Sequence, residues 1–230
     1  MDKCDILGVK ISRVTMEEAV SNAGGFFGGG VHTVYTPNPE IIMLAQKDEE
    51  YKKILNDADM LLADGIGVVI GSRIIKNPLP ERVAGFDFVC RMLEGGYSFY
   101  LLGAKPDVVQ LAAEKLINKG VNVVGLHHGY FEDDTEVIKD INEKEPDILL
   151  VCLGAPKQEK WIAKNKDKLK VSLCIAAGGT LDVLSGKVIR APLFIRRIGL
   201  EWLYRALSDP SRIARLGAIP GFLFKVIRSV

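Results

Sequence analysis

Residues 148–156 read ILLVCLGAP, an apolar run that ends in Gly-Ala-Pro, and residues 100–106 repeat this arrangement as YLLGAKP. Each stretch predicts a buried strand that passes through a glycine turn into a helix. Proline is favourable in a first helical turn, and glycine lets the backbone approach a ligand. Short apolar runs predict six strands in all, at residues 33–35, 60–63, 99–102, 121–126, 148–153 and 171–176.

Segments with apolar residues at helical spacing follow these strands, for example residues 106–118 and 133–144. Strands and helices in alternation predict an α/β fold, a mostly parallel sheet with helices on both faces. After residue 190 the pattern changes to helices alone, over residues 192–207 and from residue 210 onward. We therefore expect two parts, an α/β body over 1–190 and a C-terminal helical appendage over 191–230.

The charge is balanced overall but unevenly distributed. The 230 residues are 48% hydrophobic and 26% charged, as in globular proteins, and a net charge of +1 gives no field that favours nucleic acid. Residues 191–230 carry seven basic and two acidic residues among large apolar ones. This composition predicts a basic amphipathic appendage on an anionic membrane surface. A helix pair docked on the core or on another subunit is the alternative.

The cysteines and the apolar runs predict where the protein acts. Cys4, Cys90, Cys152 and Cys174 form no CxxC pair, which favours a reducing cytoplasm. The N-terminus lacks the apolar run of a secretory signal. The longest uncharged stretch of the appendage, residues 216–224, has nine residues, against about 20 for a membrane span. We expect a cytoplasmic protein that is peripheral on the inner face of the membrane.

Gly103 and Gly154 follow two of the predicted strands, at the edge where parallel sheets bind ligands. A bound nucleotide and a pair of tight turns both explain these glycines. Lys157 and Gln158 then lie in a first helical turn, whose N–H groups favour anions such as a diphosphate. A solvated helix face is the alternative for Lys157, together with Glu159 and Lys160.

Residues 178–182, GGTLD, end the last predicted strand with the pair Gly178 and Gly179. Asp182 either accepts a hydrogen bond from a ribose or uracil or caps the next turn.

Residues 63–71, ADGIGVVIG, resemble a dinucleotide fingerprint but space their glycines as GxGxxxG. The carboxylate of Asp64 before the first glycine would repel a pyrophosphate. Its place at a strand end suits a general base, and a turn or helix cap is the alternative. In residues 36–40, TPNPE, Thr36 and Asn38 offer a hydroxyl and an amide to sugar hydroxyls. Asn38 alternatively caps the next helix.

We expect no metal site. Asp57 and Asp59 match a DxD metal signature but precede their strand instead of ending it, which indicates a loop. His127 and His128 are adjacent in an extended segment, so we expect their side chains to point to opposite faces and not to chelate an ion together.

Taken together, these motifs resemble the WecG/TagA/CpsF family of bacterial glycosyltransferases, and in particular its TagA branch. The resemblance runs almost end to end and implies a Rossmann-like sheet with a C-terminal helical appendage. The matching motifs are TPNPE (36–40), ADG (63–65), PERVAGFD (80–87), LGA (102–104), HHGYF (127–131), GAPKQEKW (154–161), RAP (190–192), LEWLYR (200–205) and PSR (210–212).

The resemblance implies an activity. It is the transfer of N-acetylmannosamine from UDP-N-acetylmannosamine to the 4-hydroxyl of the GlcNAc in undecaprenyl-diphosphate-GlcNAc. This step begins the linkage unit of wall teichoic acid, and family members invert the anomeric centre without a metal. Asp64 becomes the base, Thr36 and Gln158 polar partners of the reacting sugars, and Arg82 a helper in the cleft. Appendage arginines close over the site and meet the diphosphate, and they match Arg205, Arg212 and Arg215.

One motif departs from the family pattern, because residues 176–182 read AAGGTLD where the family commonly has GVGGxFD. This leaves another UDP-N-acetylhexosamine or a uronic acid open as the donor. A nucleotide-sugar epimerase and a non-enzymatic membrane-surface adaptor are the other hypotheses. A homo-oligomer is also left open.

Overall fold

Six parallel strands form a central sheet in the computed structural model of the protein, which describes residues 1–197, 199–208 and 217–229. The sheet strands are β3 (His32–Tyr35), β4 (Met60–Leu61), β5 (Ser98–Gly103), β6 (Asn122–His127), β7 (Ile148–Cys152) and β8 (Leu173–Ala176), and two earlier strands are β1 (Lys3–Ile6) and β2 (Val9–Ser12). The order in the sheet is β4-β3-β8-β7-β5-β6. All six predicted strands are confirmed, with ends that differ by at most two residues. The antiparallel β1–β2 hairpin lies outside this sheet and was not predicted.

Helices cover the sheet and alternate with its strands along the chain. They are α1 (Met16–Gly24), α2 (Pro39–Ala45), α3 (Glu49–Asn56), α4 (Ile66–Ile74), α5 (Gly85–Leu93), α6 (Pro106–Ile117), α7 (Thr135–Lys144), α8 (Lys157–Asn165), α9 (Thr180–Leu184), α10 (Leu193–Arg197), α11 (Glu201–Ser208) and α12 (Ala218–Ile227). The helices predicted over 106–118 and 133–144 are α6 and α7. The single helix predicted over 192–207 is wrong. It is interrupted at Gly199, whose φ of 77° suits glycine and breaks the helical path.

The central strands are buried on both faces, which explains their continuous apolar sequences. Successive side chains of a strand point to opposite sides. In β7, Leu149 and Val151 therefore pack into one helix layer, while Ile148 and Leu150 pack into the other. The sheet thus separates two apolar cores and fixes the strand ends that carry the site.

The last helix is docked on the body. Helix α12 packs against α2 and α4, and its Phe222 and Val226 are fully buried in the core on that side of the sheet. The helix fits closely here, because a Cβ on Gly71 of α4 would come within 3.0 Å of the Phe222 ring. This packing agrees with the docked-helix alternative for this part of the appendage. The boundary at residue 190 stays a prediction.

The expected orientation of the two adjacent histidines is wrong. The ring centroids of His127 and His128 lie 4.5 Å apart. Strand β6 ends at His127, so strand alternation does not extend to His128. The Nδ1 of His127 donates instead to the carbonyl oxygen of His128 at 2.8 Å.

Candidate active site at the carboxyl ends of the strands

A cavity of about 520 Å³ opens at the carboxyl ends of the parallel strands. Loops after β3, β4, β5, β7 and β8 form its wall, as expected for a ligand site of a parallel sheet. The cavity brings together most of the residues that the sequence selected. They are Thr36, Asn38, Asp64, Gly154, Lys157, Gln158, Gly178, Gly179 and Asp182.

Asp64 lies in a tight turn between β4 and α4. Its backbone N–H donates to the carbonyl oxygens of Leu62 at 2.9 Å and Pro37 at 3.1 Å. Gly65 is the N-cap residue of α4 and has a φ of 102°, and no side chain caps this helix. The helix-cap alternative for Asp64 is therefore wrong. The turn leaves a half-buried carboxylate on the cavity wall.

Thr36 is held rigidly beside this turn. Its hydroxyl donates to the carbonyl oxygen of Ala176 at 3.1 Å and so joins the ends of β3 and β8. A Cβ on Gly85 would lie 2.8 Å from the Thr36 side chain, so only glycine fits there. Because the hydroxyl proton is used within the protein, the oxygen is left to accept a hydrogen bond from a ligand.

Asn38 caps α2, as its alternative interpretation predicted. The side-chain oxygen accepts from the backbone N–H of Ile41 at 2.9 Å. The capping bond uses Oδ1, so Nδ2 is the atom of this amide that can donate to a ligand.

Gln158 and Glu159 carry a buried hydrogen-bond chain to the loop after β8. Gln158 Oε1 accepts from the backbone N–H of Gly178 at 3.0 Å, and Gln158 Nε2 donates to Glu159 Oε1 at 2.8 Å. Glu159 is fully buried, and burial raises the pKa of its carboxyl. Sequence reasoning selected Gln158 but assigned Glu159, with Lys157 and Lys160, to a solvated helix face, which is wrong for Glu159.

Three further side chains define the chemistry of the wall. Lys157 begins α8, and its Nζ lies 3.3 Å from the carbonyl oxygen of Gly129. Asp182 lies inside the first turn of α9 and not at its cap. Cys152 is buried, and burial raises its thiol pKa to about 12, so at neutral pH it is an uncharged wall residue and not a nucleophile.

Two predicted residues that the structure describes, Gly103 and Arg82, do not line the cavity. Gly103 instead allows β5 to approach β7, since a Cβ there would lie 2.3 Å from the carbonyl oxygen of Cys152. Arg82 points to Glu201, with Nη2 3.8 Å from Oε2. The side chain of Arg205 and the whole of Arg212 and Arg215 lie outside the described residues.

An arginine that sequence reasoning did not select joins the C-terminal segment to the cavity wall. Arg190 donates to both carboxylate oxygens of Asp87, at 2.5 and 3.2 Å, and to Glu201 at 3.2 Å. Its guanidinium lies 4.4 Å from the ring centre of Phe86. Burial opposes ionisation of Asp87, but hydrogen bonds from Arg190 outweigh it and lower the Asp87 pKa. The partners are 103 residues apart, so neither motif alone indicated the pair.

The DxD tripeptide lies at the opposite end of the sheet, in the predicted loop. Asp59 accepts from the backbone N–H of Thr33 at 2.8 Å and from His32 Nδ1 at 2.9 Å, at the start of β3. No group of three or more His, Cys, Asp or Glu side chains in the described residues could hold a metal ion. Within that same part of the chain, no helix is both long and apolar enough to cross a membrane.

Comparison with known proteins identifies the family. A model of the glycosyl transferase WecG/TagA/CpsF family matches residues 4–230. The chain belongs to this family. Three similar relatives are N-acetylglucosaminyldiphosphoundecaprenol N-acetyl-beta-D-mannosaminyltransferases of Staphylococcus aureus, from strains MW2, NCTC 8325 / PS 47 and MRSA252. Each is 36% identical over 236 residues, which cover 99% of this chain and 93% of the relative.

Membership of the WecG/TagA/CpsF family gives the cavity a chemical context. A glycosyl transferase must hold a sugar donor and an acceptor side by side. The cavity offers a carboxylate at Asp64, a hydroxyl at Thr36 and a glycine loop at Gly178 within one space. The geometry thus joins a proton acceptor to a loop whose backbone can lie close to a ligand.

Proposed function

We propose that the protein transfers N-acetylmannosamine from UDP-N-acetylmannosamine to the GlcNAc of a polyprenyl-diphosphate-linked acceptor. The observation that carries this proposal is the 36% identity, over nearly the whole chain, to relatives named for that transfer. The cavity supports it, because Asp64 and the glycine loop at Gly178 and Gly179 line the same space. Undecaprenyl-diphosphate-GlcNAc is the proposed acceptor, as the names of the relatives state.

Asp64 is the proposed general base. Its carboxylate takes the proton from the acceptor 4-hydroxyl as that oxygen attacks the anomeric carbon of the donor. The bond between the anomeric carbon and the UDP oxygen breaks as the new bond forms, and UDP leaves with the electron pair. Attack from the face opposite UDP inverts the anomeric centre. The turn at Asp64 supports this role, because its backbone hydrogen bonds to Leu62 and Pro37 hold this residue at the cavity wall.

The leaving UDP gains negative charge, which the protein must stabilise. We place the diphosphate near the N-terminus of α8, where the helix dipole and the Lys157 ammonium favour an anion. Thr36 and Gln158 are proposed polar partners of the sugars. Arg82 is proposed to help from outside the cavity wall, through Glu201, the wall residue that it faces. Arg205, Arg212 and Arg215 are proposed to close over the diphosphate.

We also propose that the protein works on the inner face of the membrane, where a polyprenyl-linked acceptor is anchored. Exposed apolar residues support this. Phe194 of α10 is 66% exposed, and Phe224 and Ile227 of α12 are about 60% exposed. Lys225 and Arg228 lie in or next to the same stretch of α12, so apolar burial and attraction to anionic lipids would act together.

A donor panel tests the activity. Purified protein is incubated with a short-chain lipid-diphosphate-GlcNAc analogue and UDP-N-acetylmannosamine, other UDP-N-acetylhexosamines or UDP-uronic acids, and released UDP and product mass are measured. We expect the highest rate with UDP-N-acetylmannosamine. A higher rate with another donor would reassign the substrate. An adaptor would release no UDP with any donor, and an epimerase acting by oxidation and reduction would contain NAD, visible in the absorbance spectrum.

A further inference from the structure

Glu159 is a carboxyl buried without a charged partner. It is fully buried on α8, and no described residue forms a salt bridge with it. Glutamates are almost never fully buried unless they are paired. Its Oε1 accepts from Gln158 Nε2, while its Oε2 has no hydrogen-bond partner among the described residues. The proposed chemistry does not use this residue, so a catalytic role does not explain its burial.

The hydrogen bond from Gln158 leads toward the cavity. The other end of that amide, Oε1, accepts from the backbone N–H of Gly178. A backbone N–H only donates, so this bond determines that the amide nitrogen of Gln158 faces Glu159. Two consecutive hydrogen bonds therefore connect the interior carboxyl to the glycine loop on the cavity wall.

The loop itself needs support. Gly178 has a φ of 45°, and Gly179 follows it directly before α9. Paired glycines have access to many backbone conformations, and fixing one of them costs free energy. A ligand that binds a loop already held in one conformation avoids that cost.

We propose that Glu159 is a positioning residue for the donor site, which acts through the Gln158 amide to hold the Gly178–Gly179 backbone in the conformation that receives UDP. The inference rests on the proposed function, which places the donor nucleotide against this loop. Glu159 needs no charge for this role, since Oε1 still accepts from Gln158 when Oε2 carries a proton. The Tyr51 hydroxyl lies near the carboxyl and lowers its pKa, but the full geometry of a hydrogen bond between this hydroxyl and Oε2 is not met.

Two matched substitutions test the acceptor. Glu159→Gln keeps an oxygen for Gln158 and removes the charge, whereas Glu159→Met keeps the length and removes both oxygens. We expect Glu159→Met to weaken UDP binding, measured by calorimetry, by about tenfold, as one lost hydrogen bond in a preorganised site would do. Glu159→Gln should stay within about twofold of the natural protein. Hydrogen exchange at residues 178–180 should become faster in the Met variant alone.

Kinetics separate positioning from a loss of folded protein. The loop contacts donor in both the ground and transition states, so Glu159→Met should raise the donor KM by about tenfold and leave kcat and the acceptor KM unchanged. A smaller folded fraction would lower kcat at constant KM. If the Met variant does not fold, Glu159→Asp carries the same expectation, because its carboxylate is one methylene too short to reach Gln158.

A double-mutant cycle tests whether the effect passes through Gln158. Gln158→Met removes the amide that donates to Glu159 Oε1. In that background, adding Glu159→Met should therefore not weaken UDP binding further. Additive losses would overturn the proposal. Unchanged UDP affinity and exchange in Glu159→Met, or an equal loss in Glu159→Gln, would overturn it too. If the natural protein itself bound no UDP, the proposed function would fall, while the exchange data would still report whether Glu159 holds the loop.

Discussion

At the scale of single residues, Asp64 carries the sharpest expectation. Asp64→Asn keeps the shape of the side chain in the Gly65 turn but removes the basic carboxylate. We expect kcat to fall by about 10²-fold or more, while UDP binding is retained. UDP release assays and calorimetry measure the two effects. An Asn variant that turned over at nearly the natural rate would remove Asp64 from the role of base.

Glu159 also gives a pH dependence of stability. Burial raises its pKa above the ordinary value of 4.5, and the tyrosines that face it, Tyr51 and Tyr35, have raised pKa values and are uncharged. The unfolded chain ionises this carboxyl first, so its contribution to the free energy of unfolding falls as pH rises above about 4.5. Glu159→Gln does not titrate. Its stability relative to the natural protein, from urea unfolding, should therefore increase between pH 4.5 and 8.

A relative stability that did not change over this pH range would mean that the folded protein holds Glu159 with an ordinary pKa. UDP binding is the control for this measurement, because Glu159→Gln is expected to bind UDP normally. Stability and binding thus report separately on the charge and on the hydrogen bond of one side chain.

Residue roles were only partly predictable from the sequence. The cap at Asn38 could be predicted, because an asparagine before Pro39 at a helix start is a local signal. The Glu159 and Arg190 contacts were not predictable. Glu159 lies in a charged stretch and its burial depends on α3, while the Asp87 partner of Arg190 is 103 residues away. Local patterns thus predict backbone contacts better than long-range side-chain contacts.

At the scale of elements, Arg190 connects α5 to the C-terminal segment. Its side chain is 10% exposed and binds Asp87 and Glu201. We expect Arg190→Gln to lower the free energy of unfolding by about 1–3 kcal/mol, because it leaves two acidic side chains close together without their shared cation. Arg190→Lys should recover only part of this, since lysine cannot bond both oxygens of Asp87 in a fork.

The control for this element contact is Arg91→Gln. Arg91 pairs with Glu17 at 3.7 Å, and both side chains are exposed, so its loss should cost about 0–1 kcal/mol. Equal costs at the two arginines would contradict a special role for Arg190. The Asp87 pKa is lowered, so its contribution to stability should persist at neutral pH and disappear only as pH falls below its ordinary value of 3.8.

Secondary structure followed local patterns where these were strong. The six sheet strands are apolar runs that end in turn residues, and their predicted positions are confirmed. The β1–β2 hairpin was missed because its turn, Leu7-Gly8, lacks the Asn-Gly or Asp-Gly signal. Both turn residues nevertheless have positive φ values, 55° and 81°. Pairing between β1 and β2, and burial of Ile6 and Val9, stabilise the turn from outside.

At the scale of the whole molecule, we expect catalysis without a divalent metal. Asp57 and Asp59 lie at the end of the sheet opposite the cavity, and Asp59 is bonded to His32 and Thr33. Lys157 and the proposed appendage arginines supply positive charge for UDP instead. Turnover with EDTA should equal turnover without it. Activity lost in EDTA and restored by Mg²⁺ or Mn²⁺ would contradict this account.

The two faces of α12 separate membrane binding from folding. Phe222 and Val226 are buried against the body, while Phe224, Ile227 and Lys225 point outward. Deleting the appendage would expose the apolar core on α2 and α4, so a loss of membrane binding could not be separated from a loss of folding. Outward substitutions, Phe224→Ser with Lys225→Glu, should therefore reduce binding to anionic vesicles and leave the melting temperature unchanged.

The matched inward variant is Phe222→Ala. It removes a buried ring, so it should lower the free energy of unfolding by about 3–5 kcal/mol while the outward surface of α12 is kept. At a temperature where it is still folded, its binding to vesicles of anionic phospholipid should equal that of the natural protein. Vesicle binding that persisted in the outward variant, measured by co-sedimentation, would show that this face of α12 does not contact the membrane.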